Sequence, residues 1–264
     1  MTALPTHSLD PFLPKSTKKP NFFLLGAGRC GTTSLYNMLQ QHPEIFMSSV
    51  KEPSFFCSYF QVIKDPISYF QLFSPCNGEN AIGEASHVYL SNPETSAILH
   101  LLFPNVKFIL IFRNPTNRAY SLYQWMRRAG YEALESFEAA IEVELQRYRD
   151  PAFFKECPQY FWNFMYIRSS YYHLQWTRYL RFYSRNKFFV LSLCELSSDP
   201  LYWIQRIYEF LGVTSTFTPS CERLNAVDYQ ALDPSARTRL DSHFKDVISA
   251  TEAMVGRDLK LTHL

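Results

Sequence analysis

No two cysteines in this sequence are spaced C-x-x-C, and the six that occur, Cys30, Cys57, Cys76, Cys157, Cys194 and Cys221, follow no regular interval. That argues against a zinc site and against the dense disulfide framework of a small secreted fold. The six read as reduced thiols of a cytoplasmic protein. No continuous apolar run reaches transmembrane length, so membrane insertion is not expected. Residues 1–20 hold Pro5, Pro11, Pro14 and Pro20 in place of an apolar signal core and read as a flexible leader. Charge of one sign is scarce too: 26 Lys and Arg against 24 Asp and Glu leave a net +2, too little to argue for a nucleic-acid or bulk-membrane partner. Any positive site must therefore be local. There is no internal repeat and no low-complexity block.

Apolar residues are plentiful at 47%, aromatics at 17%, which is ample for a buried core and excludes gross disorder. One domain is expected over residues 21–264. Asn21–Leu25 reads as a strand, breaking into Gly26-Ala27-Gly28-Arg29-Cys30-Gly31 before a helix over Thr32–Gln41 that ends at His42-Pro43. Ile45–Phe60 reads as an ordered loop in which Pro53 discourages helix at Glu52. Helices are predicted near Ile67–Phe73 and Pro93–Phe103, on either side of the segment Ala81–Leu90. Val106–Phe112 alternates little, as a central strand of a parallel sheet does. Asn114 can cap, and Pro115 open, the helix after it. Further helices are predicted over Ser136–Tyr148, Tyr171–Tyr183, Leu201–Leu211 (stopped by Gly212) and Pro234–Val255 (stopped by Gly256), with a strand at Lys187–Leu193. The alternation implies an α/β fold with a central, mostly parallel sheet flanked by helices in three layers.

Gly26 to Thr33 has the P-loop spacing G-x-x-x-x-G-K-[ST], except that Thr32 occupies the lysine position. Backbone amides and the helix N-terminus would still cradle a phosphate, and Thr32 and Thr33 add hydroxyls. Arg29 can supply the missing charge where a leaving 5′-phosphate turns negative, so a nucleotide with a short acid anhydride fits better than ATP. The plain alternative is a strand-to-helix turn with no ligand. Arg113 ends a central strand, and Ser121 follows eight residues on, two turns into the next helix. A guanidinium and a hydroxyl at that edge suit a second phosphate; a structural ion pair is the plain reading of Arg113.

Gly28-Arg29-Cys30-Gly31-Thr32-Thr33-Ser34-Leu35, Lys51-Glu52-Pro53-Ser54-Phe55-Phe56 and Ile111-Phe112-Arg113-Asn114-Pro115 with Arg118-Ala119-Tyr120-Ser121 together resemble the family of sulfotransferases that use 3′-phosphoadenosine 5′-phosphosulfate (PAPS). So do Gly83-Glu84-Ala85-Ser86, Asp199-Pro200, Phe210-Leu211-Gly212, Leu224-Asn225 and Gly256-Arg257-Asp258-Leu259, in that order. The resemblance runs from about Asn21 to the carboxyl end and is nearest the glycan-type and bacterial branch. It implies a single P-loop-like α/β domain and an enzyme that leaves adenosine 3′,5′-bisphosphate as product, with no metal. By the resemblance Gly28, Arg29, Cys30, Gly31, Thr32, Thr33 and Ser34 meet the 5′-phosphosulfate, and Arg113 with Ser121 the 3′-phosphate. Arg223, Asn225 and Tyr172 are weaker carry-overs to the nucleotide site. Three positions depart from the pattern: Arg29 for a lysine, Trp125 where S-x-Y-x-H would have a histidine, and His87 for a proline.

Sulfuryl transfer needs in-line attack, charge stabilisation on the leaving oxygen and a proton acceptor. Glu52 is the first candidate base, since relatives carry a catalytic glutamate in this segment, and Phe55 and Phe56 are expected to raise its pKa. Pairing with Lys51 is the plain alternative. His87 is the rival base, because imidazole suits the task and small-molecule sulfotransferases use a histidine upstream of the arginine strand. Lys51 is a candidate for the sulfuryl group or acceptor, or a solvated surface residue. Tyr160, Phe161, Trp162, Phe164 and Tyr166 are core by default but lie where an acceptor pocket could form. The expected acceptor is a small molecule, such as a bacterial natural product of the cyanobacterial alkaloid-toxin kind. Glycan or lipid-glycan sulfation and a non-catalytic nucleotide-binding module are the alternatives.

Overall fold

Short apolar runs too rich in Phe, Ile, Leu and Val to alternate with polar residues are buried on both sides, and among the described residues they form five strands: β1 (Phe22–Gly26), β2 (Ile45–Met47), β3 (Ala81–Ala85), β4 (Lys107–Phe112) and β5 (Phe188–Ser192). The computed structural model describes residues 18–221 and 231–262. The strands pair in the order β2-β3-β1-β4-β5, every pairing parallel, so the sheet is wholly rather than mostly parallel among the described residues. All of β1 and Phe108–Phe112 of β4 are buried on alternate faces, so both sides of the sheet are covered. Apart from Lys18 to Pro20, the leader expected over residues 1–20 lies outside the described residues.

The helices are α1 (Thr32–Leu39), α2 (Pro66–Gln71), α3 (Val88–Ser91), α4 (Thr95–Leu102), α5 (Pro115–Arg128), α6 (Phe137–Glu142), α7 (Glu144–Arg149), α8 (Pro151–Glu156), α9 (Tyr172–Leu180), α10 (Leu193–Ser198), α11 (Pro200–Leu211) and α12 (Pro234–Val255). Asn114 caps α5 through the amide of Asn117, and Pro115 is its first residue, as the sequence predicts. Gly212 and Gly256 end α11 and α12. The single helix predicted over Ser136–Tyr148 is two, α6 and α7, hinged at Val143. The break lets the buried Glu144 accept from the amides of Ile167 (2.8 Å) and Arg168 (3.0 Å). Ile45–Met47, predicted as loop, pairs with β3 instead, and the strand predicted to Leu193 stops at Ser192, which caps α10 in a capping box with Glu195.

A main core surrounds the sheet, and a second apolar cluster joins α5, α6 and α12 to the segment around Phe161–Tyr166; Trp162 packs against both. Because all five strands run the same way, the chain leaving β1, β2, β3 and β4 emerges on one edge. Residues far apart in sequence are brought together there.

Candidate active site

After β1 the chain turns through Ala27–Gly31 into α1. Gly31 takes a left-handed φ of 92° that favours glycine, and no side chain caps α1 nor does an acid sit in its first turn. Its first amides are thus offered to an anion. Buried Arg118 donates from Nε to the Gly28 carbonyl (3.1 Å) and from Nη1 to the hydroxyls of Ser169 and Ser170. Arg113 donates to the Arg29 carbonyl (3.4 Å), and Arg29 Nε to the Ser121 hydroxyl (3.4 Å). Three arginines from β1's loop, β4's end and α5 therefore surround one turn of backbone, a strongly positive focus in a nearly neutral chain.

The chain leaving β2 carries Lys51 and Glu52 to the same edge. Glu52 and Ser54, either side of Pro53, have left-handed φ of 64° and 54°, each costing about 1–2 kcal/mol for a residue with a Cβ. Pro53 does keep Glu52 out of a helix, and the amide of Glu52 donates to the Ala85 carbonyl at the end of β3 (2.8 Å). Lys51 Nζ lies 2.5 Å from Glu52 Oε1, and Oε2 accepts from the amide of His87 (2.7 Å) and faces its Nδ1 (2.8 Å). The ion pair left open in the sequence forms, and so does a second contact, to His87. Burial pushes the Glu52 carboxyl up, but its contacts to His87 and Lys51 together outweigh it and hold it at about 2. The rise expected from Phe55 and Phe56 is reversed by these two partners.

A cavity of about 490 Å³ unites these groups. Gly28, Arg29, Thr32 and Thr33 of the loop line it together with Lys51, Glu52 and His87, and Leu122, Trp125, Arg128 and Asn163 complete its wall. Trp125 forms wall where the family pattern has histidine. Arg128 and Asn163 were not singled out from sequence, although Ser121, Trp125 and Arg128 follow the i, i+4, i+7 spacing of one α5 face. Tyr160, Phe161, Phe164 and Tyr166 are core, and the polar Asn163 between them reaches the cavity.

Several residues expected at the nucleotide do not line this cavity. Cys30 and Tyr172 are fully buried beneath the loop: the Tyr172 ring stacks on Phe112 (4.5 Å), its hydroxyl donates to the Arg113 carbonyl (3.0 Å), and Cys30 Sγ lies 3.8 Å from it. They support the turn from below and are closed to a ligand. Ser34, Arg113 and Ser121 do not line the cavity but adjoin the turn, Ser34 in the first turn of α1. Arg223 and Asn225 lie outside the described residues. Among the described residues no three His, Cys, Asp or Glu side chains cluster as a metal site needs, and no helix is long and apolar enough to cross a membrane.

A family model described as a sulfotransferase domain matches residues 19–248. The chain belongs to the sulfotransferase family. It is similar to the solved structure of a sulfotransferase from Alicyclobacillus acidocaldarius, at 32% identity and a TM-score of 0.81, covering 92% of this chain and 98% of that one. Among curated proteins it is 37% identical, over 47% of its length and 28% of the relative's, to the membrane-associated sulfotransferase kil1 of Dictyostelium discoideum. It is 26% identical, over 86% of its length and 29% of the relative's, to the bifunctional heparan sulfate N-deacetylase/N-sulfotransferase 4 of Mus musculus. This sulfotransferase chain thus spans less than a third of either curated relative.

Proposed function

We propose that this sulfotransferase transfers the sulfuryl group of PAPS to a hydroxyl or amine of a small-molecule acceptor in the cavity between the phosphate loop and the Lys51–Glu52–His87 cluster. The observation carrying this reading is that one cavity joins anion-binding groups to proton-handling ones. The donor set fits a nucleotide with phosphates at two positions: uncapped α1 amides with Thr32, Thr33 and Arg29 for the 5′ end, and Arg113 with Ser121 for the 3′ end. PAPS supplies a sulfuryl group on an anhydride whose leaving oxygen becomes the 5′-phosphate of adenosine 3′,5′-bisphosphate. Arg29 neutralises charge growing on that oxygen, and Lys51 steadies the sulfuryl oxygens.

For the acceptor proton the geometry favours His87 over Glu52. Both Glu52 oxygens are engaged, Oε1 by Lys51 and Oε2 by the amide and ring of His87, which leaves neither free to take the acceptor's proton. With Nδ1 tied to Glu52, His87 has Nε2 left, which has no partner among the described residues. Glu52 then orients the ring and steadies the imidazolium as the acceptor's proton arrives.

Leu122 and Trp125 beside Arg128 and Asn163 suit an acceptor with an apolar or ring-shaped face and a polar group. A glycan acceptor is the second reading, favoured by the heparan sulfate relative. Residues 21–264 act in this reading as one domain, supported by Trp162 packing on both apolar clusters, and the unpaired state of all six cysteines supports a cytoplasmic setting. Incubating the protein with PAPS and a library of phenols, alcohols, amines and oligosaccharides, read by mass spectrometry, tests it. A product heavier by one sulfuryl group is expected; no such product from any acceptor overturns the reading.

A further inference from the structure

Glu84 on β3 is a carboxylate with no exposed surface, outside the cavity and unused by the chemistry above. Three hydroxyls donate to it: Ser86 to Oε1 (2.5 Å), and Tyr69 of α2 (2.9 Å) and Tyr89 of α3 (3.0 Å) to Oε2. Two of these hydroxyls also accept. Ser86 Oγ takes the amide of Ser54 (3.0 Å), and the Tyr89 hydroxyl takes the amide of Phe56 (3.3 Å). A hydroxyl has one proton, and once the carboxylate holds it, only lone pairs face the other way. One buried acceptor thereby sets the direction of two relays, and both end on the loop that carries Lys51 and Glu52.

That loop needs holding, because Glu52 and Ser54 both sit at left-handed φ, a conformation side chains rarely adopt and the surroundings must enforce. The other ties are partly backbone, Glu52 to Ala85 and Val62 and Ile63 to the Pro53 carbonyl, and partly side-chain, Gln61 to the Phe55 carbonyl (2.7 Å), Thr95 to the Phe56 carbonyl (2.8 Å) and the Glu52 carboxylate to the His87 amide, but none of these takes up the amides of Ser54 and Phe56. We propose that Glu84 is a positioning residue: its carboxylate, through the Ser86 and Tyr89 hydroxyls, fastens the amides of Ser54 and Phe56 and so aims Glu52 at His87 and the cavity. The proposal rests on the functional reading above for its catalytic consequence and on geometry alone for the relays.

Burial raises the Glu84 carboxyl to about 7 against the pull of Ser86, Tyr69 and Tyr89, with Glu52 adding to the rise; Tyr179 of α9 also senses its charge. The tyrosines facing it are held well above their usual range and stay neutral. An ionised carboxylate here lowers stability, a cost that a positioning role in catalysis accounts for and a purely structural role does not. A protonated acid or a carboxamide would meet one of these hydroxyls with a donor, so that hydroxyl's own proton would lose its acceptor and could turn toward the loop amide.

Glu84→Gln is the test, assayed at pH 8.5, where the native group is ionised. Amide hydrogen exchange is expected to quicken at Ser54 and Phe56 while the amides of β1 stay protected. Turnover is expected to fall about 10- to 100-fold, the effect of a slightly misplaced catalytic group, with the affinity for adenosine 3′,5′-bisphosphate unchanged. Ser86→Ala should free only the Ser54 amide and Tyr89→Phe only that of Phe56, so two milder variants stand in if Gln does not fold. Unchanged exchange at both amides overturns the relays even if no acceptor is ever found. Faster exchange with full turnover overturns the positioning role, and loss of nucleotide affinity in step with turnover shows general unfolding instead and overturns it too.

Discussion

Nδ1 of His87 lies 2.8 Å from Oε2 of Glu52, and the same oxygen accepts the His87 backbone amide at 2.7 Å, so one carboxylate fixes both the position and the tautomer of one imidazole. The arrangement leaves Nε2 to the cavity and gives the two residues different tasks.

Those tasks are separable by rescue. His87→Gly should lose turnover by about 100-fold or more, the usual worth of a positioned base, and regain part of it when imidazole is added. Glu52→Gln should lose less and gain nothing from imidazole. A Glu52 variant as inactive as His87→Gly, with no imidazole rescue in either, would return the base to Glu52.

Gly28 has no room for a side chain. A Cβ there would stand 2.6 Å from Cδ2 of His87, while the backbone of Gly28 needs no glycine-only φ. Gly28→Ala should therefore fold, push the imidazole aside and cut turnover at least about tenfold, since small displacements of a catalytic group are costly. Affinity for adenosine 3′,5′-bisphosphate, measured by calorimetry, should change far less.

Arg118 holds the loop from beneath and is closed to solvent. Arg118→Lys cannot reproduce its bonds to Gly28, Ser169 and Ser170 together, because an ammonium lacks the fork of a guanidinium. Binding of adenosine 3′,5′-bisphosphate should weaken about tenfold, roughly 1.4 kcal/mol, with the acceptor KM little altered.

Stability should depend on pH in two opposite ways. Glu52 drops from 4.5 to about 2 on folding, so its contribution is present above pH 4.5 and fades as the pH falls toward 2, by at most about 3 kcal/mol. Glu84 rises from 4.5 to about 7, so the folded state binds the proton more tightly and stability falls as the pH climbs between those values. Urea titrations across this range should show the second slope in the native chain and not in Glu84→Gln.

Trp125 offers a check on the acceptor side. It lines the cavity and makes none of the bonds to the phosphate loop described above, so Trp125→Ala should raise the acceptor KM by a larger factor than it weakens nucleotide binding.

Much of the layout is local and was legible in the amino-acid order. Gly26–Thr33 breaks a strand into a helix, Asn114-Pro115 starts another, and Gly212 and Gly256 end two more, because caps, prolines and glycines act on backbone within a turn of themselves. The phosphate loop and the arginine at the end of β4 were readable for the same reason. The edge strand β2 was not, since Ile45–Met47 is too short to show a period and becomes a strand only by pairing with β3. Nor could spacing show that His87 meets Glu52 across 35 residues, that Arg118 reaches Gly28 across 90, or that Cys30 and Tyr172 end up sealed beneath the loop. Those contacts exist because a parallel sheet delivers the carboxyl ends of distant strands to one edge, and the pKa values there follow from who meets whom. The amino-acid sequence by itself determined the strand-loop-helix units and the anion-binding turn. Only the tertiary structure decided that Glu52 is a held carboxylate rather than a raised one, because its two partners, Lys51 and His87, arrive from its chain neighbour and from the end of another strand.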